Sequence, residues 1–342
     1  MTIVKDAKDV QTLKKSDFVS DQDVRWCPGC GDYSILSSVQ KVLPQLNVPK
    51  EKIVFVSGIG CSSRMPYYLD TYGFHTIHGR APTIATGIKI ANPDLSVWVI
   101  TGDGDSMSIG ANHLLHILRR NINVNILLIN NRIYGLTKGQ FSPTSEKGKV
   151  TKSSPNGSIE SPVDPISFAL SAGATFVARA IDTDAPNLQN VLLEGAKHKG
   201  ASFIEVLQNC NIFNDGAFSS LKDRKTNQDS IVHLLDKSPL LFGANKDKVI
   251  VSDGFNPSVQ TIGANEPLPP SAIYHTERAE SSLYPHFLSN LKMPDFPIPL
   301  GIFKREEKPT YEDAFTDNEM MRCKEKPAIR SLLMAQNTWI QQ

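Results

Sequence analysis

The chain has 342 residues, 40% of them hydrophobic and 21% charged, with a formal charge of +1. That length is ample for a large core in one or two domains, and the near-neutral balance offers no polyanion-binding surface, so nucleic acid is not an expected partner. Neither a membrane-length apolar run nor a secretory stretch in MTIVKDAKDVQTLKK is present, which leads us to expect a cytoplasmic protein with no membrane partner.

Short β-branched runs alternate with longer amphipathic segments, the pattern of an α/β fold in which helices cover both faces of a parallel sheet. After residues 1–20 comes WCPGCGD, with Cys27 and Cys30. Strands are predicted at Ile53–Val56 and, past GIGCSSR with its Cys61, at Phe74–Ile77, which leads into HGRA and His78. The next strand, Val97–Thr101, runs into GDGDS at Gly102–Ser106. A helix should follow, with Ile109, Leu114, Leu115, Ile117 and Leu118 mostly on one face and Arg119 and Arg120 closing it. Val124–Ile129 then delivers INNRIYG.

From Asn131 to Asp164 the chain is polar, with too few apolar residues to own a core, and a loop of this length in a compact domain is usually functional or mobile. Strands Thr175–Ala180 and Ser202–Leu207 flank a helix that Asp184 caps and Pro186 opens. Cys210 follows the last of them. Beyond Asp236 prolines crowd in and predict an extended arm laid over the same domain or a partner. The expected organisation is an N-terminal segment 1–20, a binding domain 21–235 and a Pro-rich arm 236–342.

A strand that ends in Gly-Asp-Gly places Asp103 at the carboxyl edge of the sheet, and the glycines let a diphosphate approach the start of the next helix. Asn131 follows Asp103 by 28 positions, the distance one crossover helix and one strand require. A carboxylate, a carboxamide oxygen and a backbone carbonyl would suit magnesium. Taken alone, Gly-Asp-Gly is a common turn and Asn-Asn can end a strand through Asx turns; the weight lies in the pair. Five cysteines in a reducing compartment point to metal binding rather than disulfides. A C-x-x-C with two distant cysteines fits a structural zinc about as well as an iron–sulfur cluster, since both take four thiolates.

The GDG…NN pair resembles the thiamine-diphosphate motif. WCPGCGD, GIGCSSR, HGRA, GDGDS, NNRIYGLTKGQ and Cys210 stand in the order of the β subunits of 2-oxoacid:ferredoxin oxidoreductases, a resemblance that covers Asp21 to Asn214. It implies the diphosphate-binding half of a thiamine enzyme, with Asp103, Asn131 and the carbonyl of Ile133 on Mg2+. Ile59, Gly60, Cys61, Ser62, His78, Gly104, Asp105, Gly135 and Leu136 would lie against thiamine diphosphate, with His78 matching the family's cofactor-contacting histidine. Cys27, Cys30, Cys61 and Cys210 would ligate one [4Fe–4S] cluster, whereas Cys323 matches no ligand position.

Arg64 is read as the partner of a substrate or coenzyme A anion, because a guanidinium recognises carboxylate or phosphate through paired hydrogen bonds. Lys138 is a weaker candidate of the same kind. The chain is too short for the pyrimidine-binding domain that carries the activating glutamate, so the resemblance implies an α subunit that supplies it, with ferredoxin as electron acceptor. WCPGCGD, CSSR and YGLTKGQ with the SPTS that follows Phe141 look like the 2-oxoglutarate members of the family. Pyruvate or a broader 2-oxoacid range, a non-oxidative thiamine enzyme, an electron-transfer subunit and a non-catalytic zinc scaffold are the competing readings. If the polar loop serves the cofactor, thiamine diphosphate with Mg2+ should protect the Asn131–Asp164 stretch from limited proteolysis; an unchanged cleavage pattern would refute this.

Overall fold

The computed structural model describes residues 13–223, 227–254, 256–263, 266–322, 328–334 and 339. Its strands are β1 Ile53–Ser57, β2 Tyr72–His75, β3 Ser96–Gly102, β4 Val124–Asn130, β5 Phe176–Ile181, β6 Ala201–Leu207, β7 Ile231–Leu234, β8 Leu241–Phe242, β9 Lys248–Asp253, β10 Asn256–Thr261 and β11 Ile298–Arg305. The helices that concern the sheet are α1 Asp32–Val42, α2 Ala81–Ala91, α3 Asp103–Met107, α4 Ala111–Arg119, α5 Pro165–Ser171 and α6 Ala185–Lys197. All six strands expected from the sequence are present within a few residues of their predicted bounds.

The main sheet runs in the order β2-β1-β3-β4-β6-β5-β11-β7. Its first six strands are parallel, and β11 then enters antiparallel to β5 and parallel to β7. The sheet is therefore mixed at one end rather than wholly parallel. Strand interiors are apolar on both faces, as burial under two helical layers demands. Val54, Val56, Val97, Val99, Ile126 and Leu128 share one core with Leu114, Ile117 and Ile166 from α4 and α5. Their neighbours Phe55, Trp98, Leu127 and Ile129 share the other with Ile35 and Val39 of α1 and Leu188 and Val191 of α6. The helix after Asp184 forms as expected, the Asp184 carboxylate accepting from the Asn187 amide at 3.2 Å.

Three local expectations need correction. The helix after GDGDS breaks into α3 and α4, and Ile109 between them is 63% exposed instead of joining the core. Leu115 is also turned outward, while Leu114, Ile117 and Leu118 are buried. The second strand ends at His75, and Ile77 lies beyond it, 69% exposed. The prolines past Asp236 conceal more regular structure than an extended arm implies: β8, β9 and β10 form a small antiparallel sheet, and β11 lies inside the main one. Pro257 is accommodated because β10 is an edge strand. The expected Cys323 lies outside the described residues.

Chain order sets where the site must be. From β1 the chain moves outward to β2 and then returns to β3 on the other side, so the β1/β3 junction is the point at which strand order reverses. Ligands of open α/β sheets bind outside the carboxyl ends of the strands at such a point.

Elsewhere, the segment after β10 buries His275, whose ring nitrogen Nδ1 is 3.2 Å from the Tyr284 hydroxyl. Burial pushes this imidazole down to about 4, against the upward pull of the Ile302 backbone and Asp236. The unfolded ring binds its proton near pH 6.5, so between these values the unfolded state holds more protons and stability falls as the pH drops. The loss attributable to His275 should reach about 3 kcal/mol, at ~1.4 kcal/mol per pH unit. Urea unfolding at pH 7 and pH 4.5 should therefore show a steeper acid loss in the wild type than in His275→Phe; equal slopes would refute the assignment.

Candidate active site

Three loops meet at the carboxyl ends of β1, β3 and β4 and enclose a cavity of about 120 Å³. The loop after β1 contributes Ile59, Gly60, Cys61 and Ser62; β3 and α3 contribute Asp103, Gly104 and Asp105; and the loop after β4 contributes Asn131, Ile133, Gly135 and Leu136. His78 closes the rim with a side chain 66% exposed. All the residues expected to hold thiamine diphosphate and magnesium line this one space.

The loop after β1, the segment after β2 and the end of β3 are tied together by a single carboxylate. Asp105, 5% exposed, accepts from the Ile59 amide at 3.2 Å, the Gly79 amide at 2.8 Å and the Thr101 hydroxyl at 2.9 Å. Its oxygens are thus spent on protein groups, and Asp105 shapes the floor of the cavity rather than offering a charge to it. A Cβ at Gly58 would stand 1.9 Å from an Asp105 oxygen, which makes glycine obligatory there. Gly104 has the same standing against the Tyr134 ring, 2.2 Å from a built Cβ.

Asp103 is 2% exposed, and burial raises its pKa while the Ser142 and Thr144 hydroxyls pull it back. Both donate to the same oxygen, Oδ2, at 2.5 and 2.7 Å. These two hydroxyls come from the SPTS string of the polar 131–164 loop, which the sequence marks as a family likeness without giving either residue a place in the site. Both asparagines of INN close Asx turns, onto Arg132 and Ile133 respectively. They then diverge. Asn130 turns inward, donating to Glu205 at 2.8 Å, and Asn131 lines the cavity. A carboxylate, an amide oxygen and a backbone carbonyl are hard oxygen donors, so the set fits Mg2+.

A second cavity, of about 250 Å³, is lined by Cys27, Cys30, Cys61 and Cys210. Cys61, Asn131, Gly135 and Leu136 line both spaces, so the two share a wall. Gly135 is its thin point: a Cβ there would meet Cys61 Sγ at 3.4 Å and Cys210 Sγ at 3.8 Å. All four thiols are free, with Cys27 exposed. Burial, followed by the nearby Asp32, pushes the Cys61 thiol up to about 12, and the same two causes raise Cys30. A metal centre would take the place of the protons and offset the cost of burying thiolates, and four soft donors around one space fit an iron–sulfur cluster.

Arg64 lines the cysteine cavity and also an open cleft of about 580 Å³ that meets the first cavity at Ile59, Gly60 and Leu136. Among the described residues its guanidinium meets no carboxylate within 4.0 Å. Lys138 lines the cysteine cavity beside it.

Strand order, glycine cradle and oxygen donors together define the diphosphate-binding half of a thiamine enzyme. In agreement, residues 58–206 match the family "Thiamine pyrophosphate enzyme, C-terminal TPP binding domain". The chain is 51% identical to the 2-oxoglutarate oxidoreductase subunit KorB of Mycobacterium tuberculosis, over 96% of this chain and 89% of that one. It is 48% identical to the β subunit of 2-oxoacid:ferredoxin oxidoreductase 1 of Aeropyrum pernix, over 56% of this chain and 60% of the relative. A solved 2-oxoglutarate:ferredoxin oxidoreductase from Magnetococcus marinus, with 2-oxoglutarate, coenzyme A and succinyl-CoA bound, superposes with a TM-score of 0.76 at 30% identity, covering 96% of this chain and 97% of its own. The chain belongs to the β subunits of 2-oxoacid:ferredoxin oxidoreductases and sides with the 2-oxoglutarate members.

Removing the Thr144 hydroxyl should misaim Asp103. Thr144→Val is expected to weaken Mg2+-dependent binding of thiamine diphosphate about tenfold, the worth of one hydrogen bond to a charged group, and Asp103→Asn should abolish it. Calorimetric titration with the diphosphate at fixed Mg2+ reads both, and wild-type affinity in Thr144→Val would refute the role.

Proposed function

We propose that this chain, completed by an α subunit, converts 2-oxoglutarate and coenzyme A to succinyl-CoA and CO2 and passes the electrons to ferredoxin through a [4Fe–4S] cluster on Cys27, Cys30, Cys61 and Cys210. The observation that carries this is the wall of Cys61, Gly135 and Leu136 common to the cofactor cavity and the cysteine cavity. When bound, thiamine diphosphate supplies the electron sink for decarboxylation and the cluster a one-electron path away from it.

The chain's own residues orient and separate charge. Asp103, Asn131 and the Ile133 carbonyl hold Mg2+, and Gly104 lets the diphosphate lie against backbone. Arg64, which meets no carboxylate among the described residues, is available to an anionic substrate group or to coenzyme A. His78 sits at the rim, its Nδ1 3.9 Å from Asp105 Oδ1, where it can meet the cofactor. Ile77, Ile109 and Leu136 are apolar and exposed beside this mouth, the kind of surface that a partner subunit covers.

The zinc scaffold is the weaker reading. Four thiolates would satisfy a zinc ion as well, but the cysteine cavity shares a wall with the cofactor cavity, where an electron acceptor has a use and a structural ion has none. A larger polynuclear group suits four thiols spread around a cavity.

Anaerobic co-purification with the α subunit, followed by 2-oxoglutarate with and without coenzyme A, tests the whole reading. A brown protein that bleaches with 2-oxoglutarate and little with pyruvate is the expected result. Bleaching by pyruvate alone would overturn the substrate, and a colourless zinc-containing protein would overturn the redox function.

A further inference from the structure

We infer that Gln208 sets the reduction potential of the cysteine-bound centre by donating a hydrogen bond to the Cys30 sulfur. The inference rests on the cluster reading above. Gln208 stands just past the end of β6, two positions before Cys210, and is 1% exposed. Its backbone amide donates to the Asn130 carbonyl at 2.9 Å, which ties this residue to the end of β4. Its side-chain Nε2 is 3.2 Å from Cys30 Sγ and 2.6 Å from the Asn209 carbonyl oxygen.

The orientation of the amide follows from these partners. A carbonyl oxygen only accepts, so the nitrogen end of Gln208 must face Asn209, and its second N–H is then free for the sulfur. The opposite end, Oε1, is buried with no hydrogen-bond partner among the described residues. Leaving a buried acceptor unmet is costly. The site therefore carries an unsatisfied oxygen in order to keep the donor end on the sulfur. The Asp32 backbone N–H also reaches the Cys30 sulfur, so Gln208 is the side-chain donor to it. On the other side of Cys30, Asp32 at the start of α1 is 1% exposed and brings a carboxylate toward the same thiol.

A donor aimed at a ligating sulfur is worth more when that sulfur carries more negative charge. The added electron increases that charge, so the Gln208 amide favours the reduced centre and raises its potential. The Asp32 carboxylate acts in the opposite sense, whereas its backbone N–H acts with Gln208. Gln208 lines the cysteine cavity and not the cofactor cavity; it acts through Cys30.

The test is a redox titration of the anaerobic complex with its α subunit, followed by electron paramagnetic resonance, with iron content measured on each sample. Gln208→Met keeps the length of the side chain without the donor, and Gln208→Glu keeps its shape while removing the donor and adding an acceptor. The expected order of midpoint potentials is wild type, then Met, then Glu. For Gln208→Met the ratio of reduced to oxidised centre at a fixed potential should fall about tenfold, equivalent to ~59 mV for one electron. Iron-replete variants that titrate with the wild type would overturn the inference, and so would loss of the centre from both variants, which would assign Gln208 to assembly. An iron-free wild-type protein would overturn the cluster reading itself, and is told apart because it shows before any variant is made.

Discussion

The arrangement depends on one buried carboxylate. Asp105 gathers the backbone after β1, the backbone after His78 and the hydroxyl of Thr101 on β3 through separate hydrogen bonds. These segments are distant in sequence and meet only because β1 and β3 are neighbours at the reversal of strand order. Without the acceptor, two backbone N–H groups would lose their partner in a crowded floor, where unpaired donors are costly. The glycines follow from it. Gly58 leaves room for the carboxylate, and Gly79 and Gly110 approach each other so closely that a Cβ on either would collide with the other's backbone.

Behind the proposed magnesium ligands lies a polar core that the fold can tolerate only because its members satisfy one another. Thr144 meets Asp103 and Asn130, Asn130 donates to Glu205, and Glu205 pairs with the Arg179 guanidinium at 2.6 Å. Arg179 also faces Asp164, which Lys292 meets at 3.2 Å. Charges so deeply buried are held by mutual pairing; removing one partner leaves the other uncompensated. The network reaches from the cofactor cavity to the last residue of the polar loop, which explains how a segment with too few apolar residues to own a core keeps a defined course.

The cofactor cavity and the cysteine cavity are built from the same short stretches of chain. Cys61 belongs to the loop that supplies Ile59 and Ser62 to the first cavity, and Gly135 belongs to the turn that supplies Asn131. Neighbouring positions therefore face opposite sides of a thin wall. A glycine at 135 keeps that wall free of side chain, and Trp26 braces it by donating to the Cys61 carbonyl at 2.7 Å.

Much of this was legible in the sequence because it is local. Parallel strands buried on both faces must be apolar throughout, so β1, β3, β4 and β6 stood out as β-branched runs. Motif residues at strand ends inherit their position from the strand, which is why Asp103, Asn131 and Cys61 could be placed at one edge from order and spacing alone. What depended on contacts between distant segments could not be read. Nothing in SPTS shows that Ser142 and Thr144 fold back onto Asp103, in YGLTKGQ that Tyr134 fills the space of an absent Gly104 side chain, or in VLQNC that Gln208 turns its amide to Cys30. Ile109 and Ile77 fit an apolar pattern yet lie outside the core, because hydrophobicity marks a residue that seeks cover without saying whether its own chain supplies it. The proline-rich end hid β11, since a strand that joins a sheet by its edges takes its partners from the tertiary arrangement. The residues fixed the chemistry available; only the crossing of the strands decided which groups would meet.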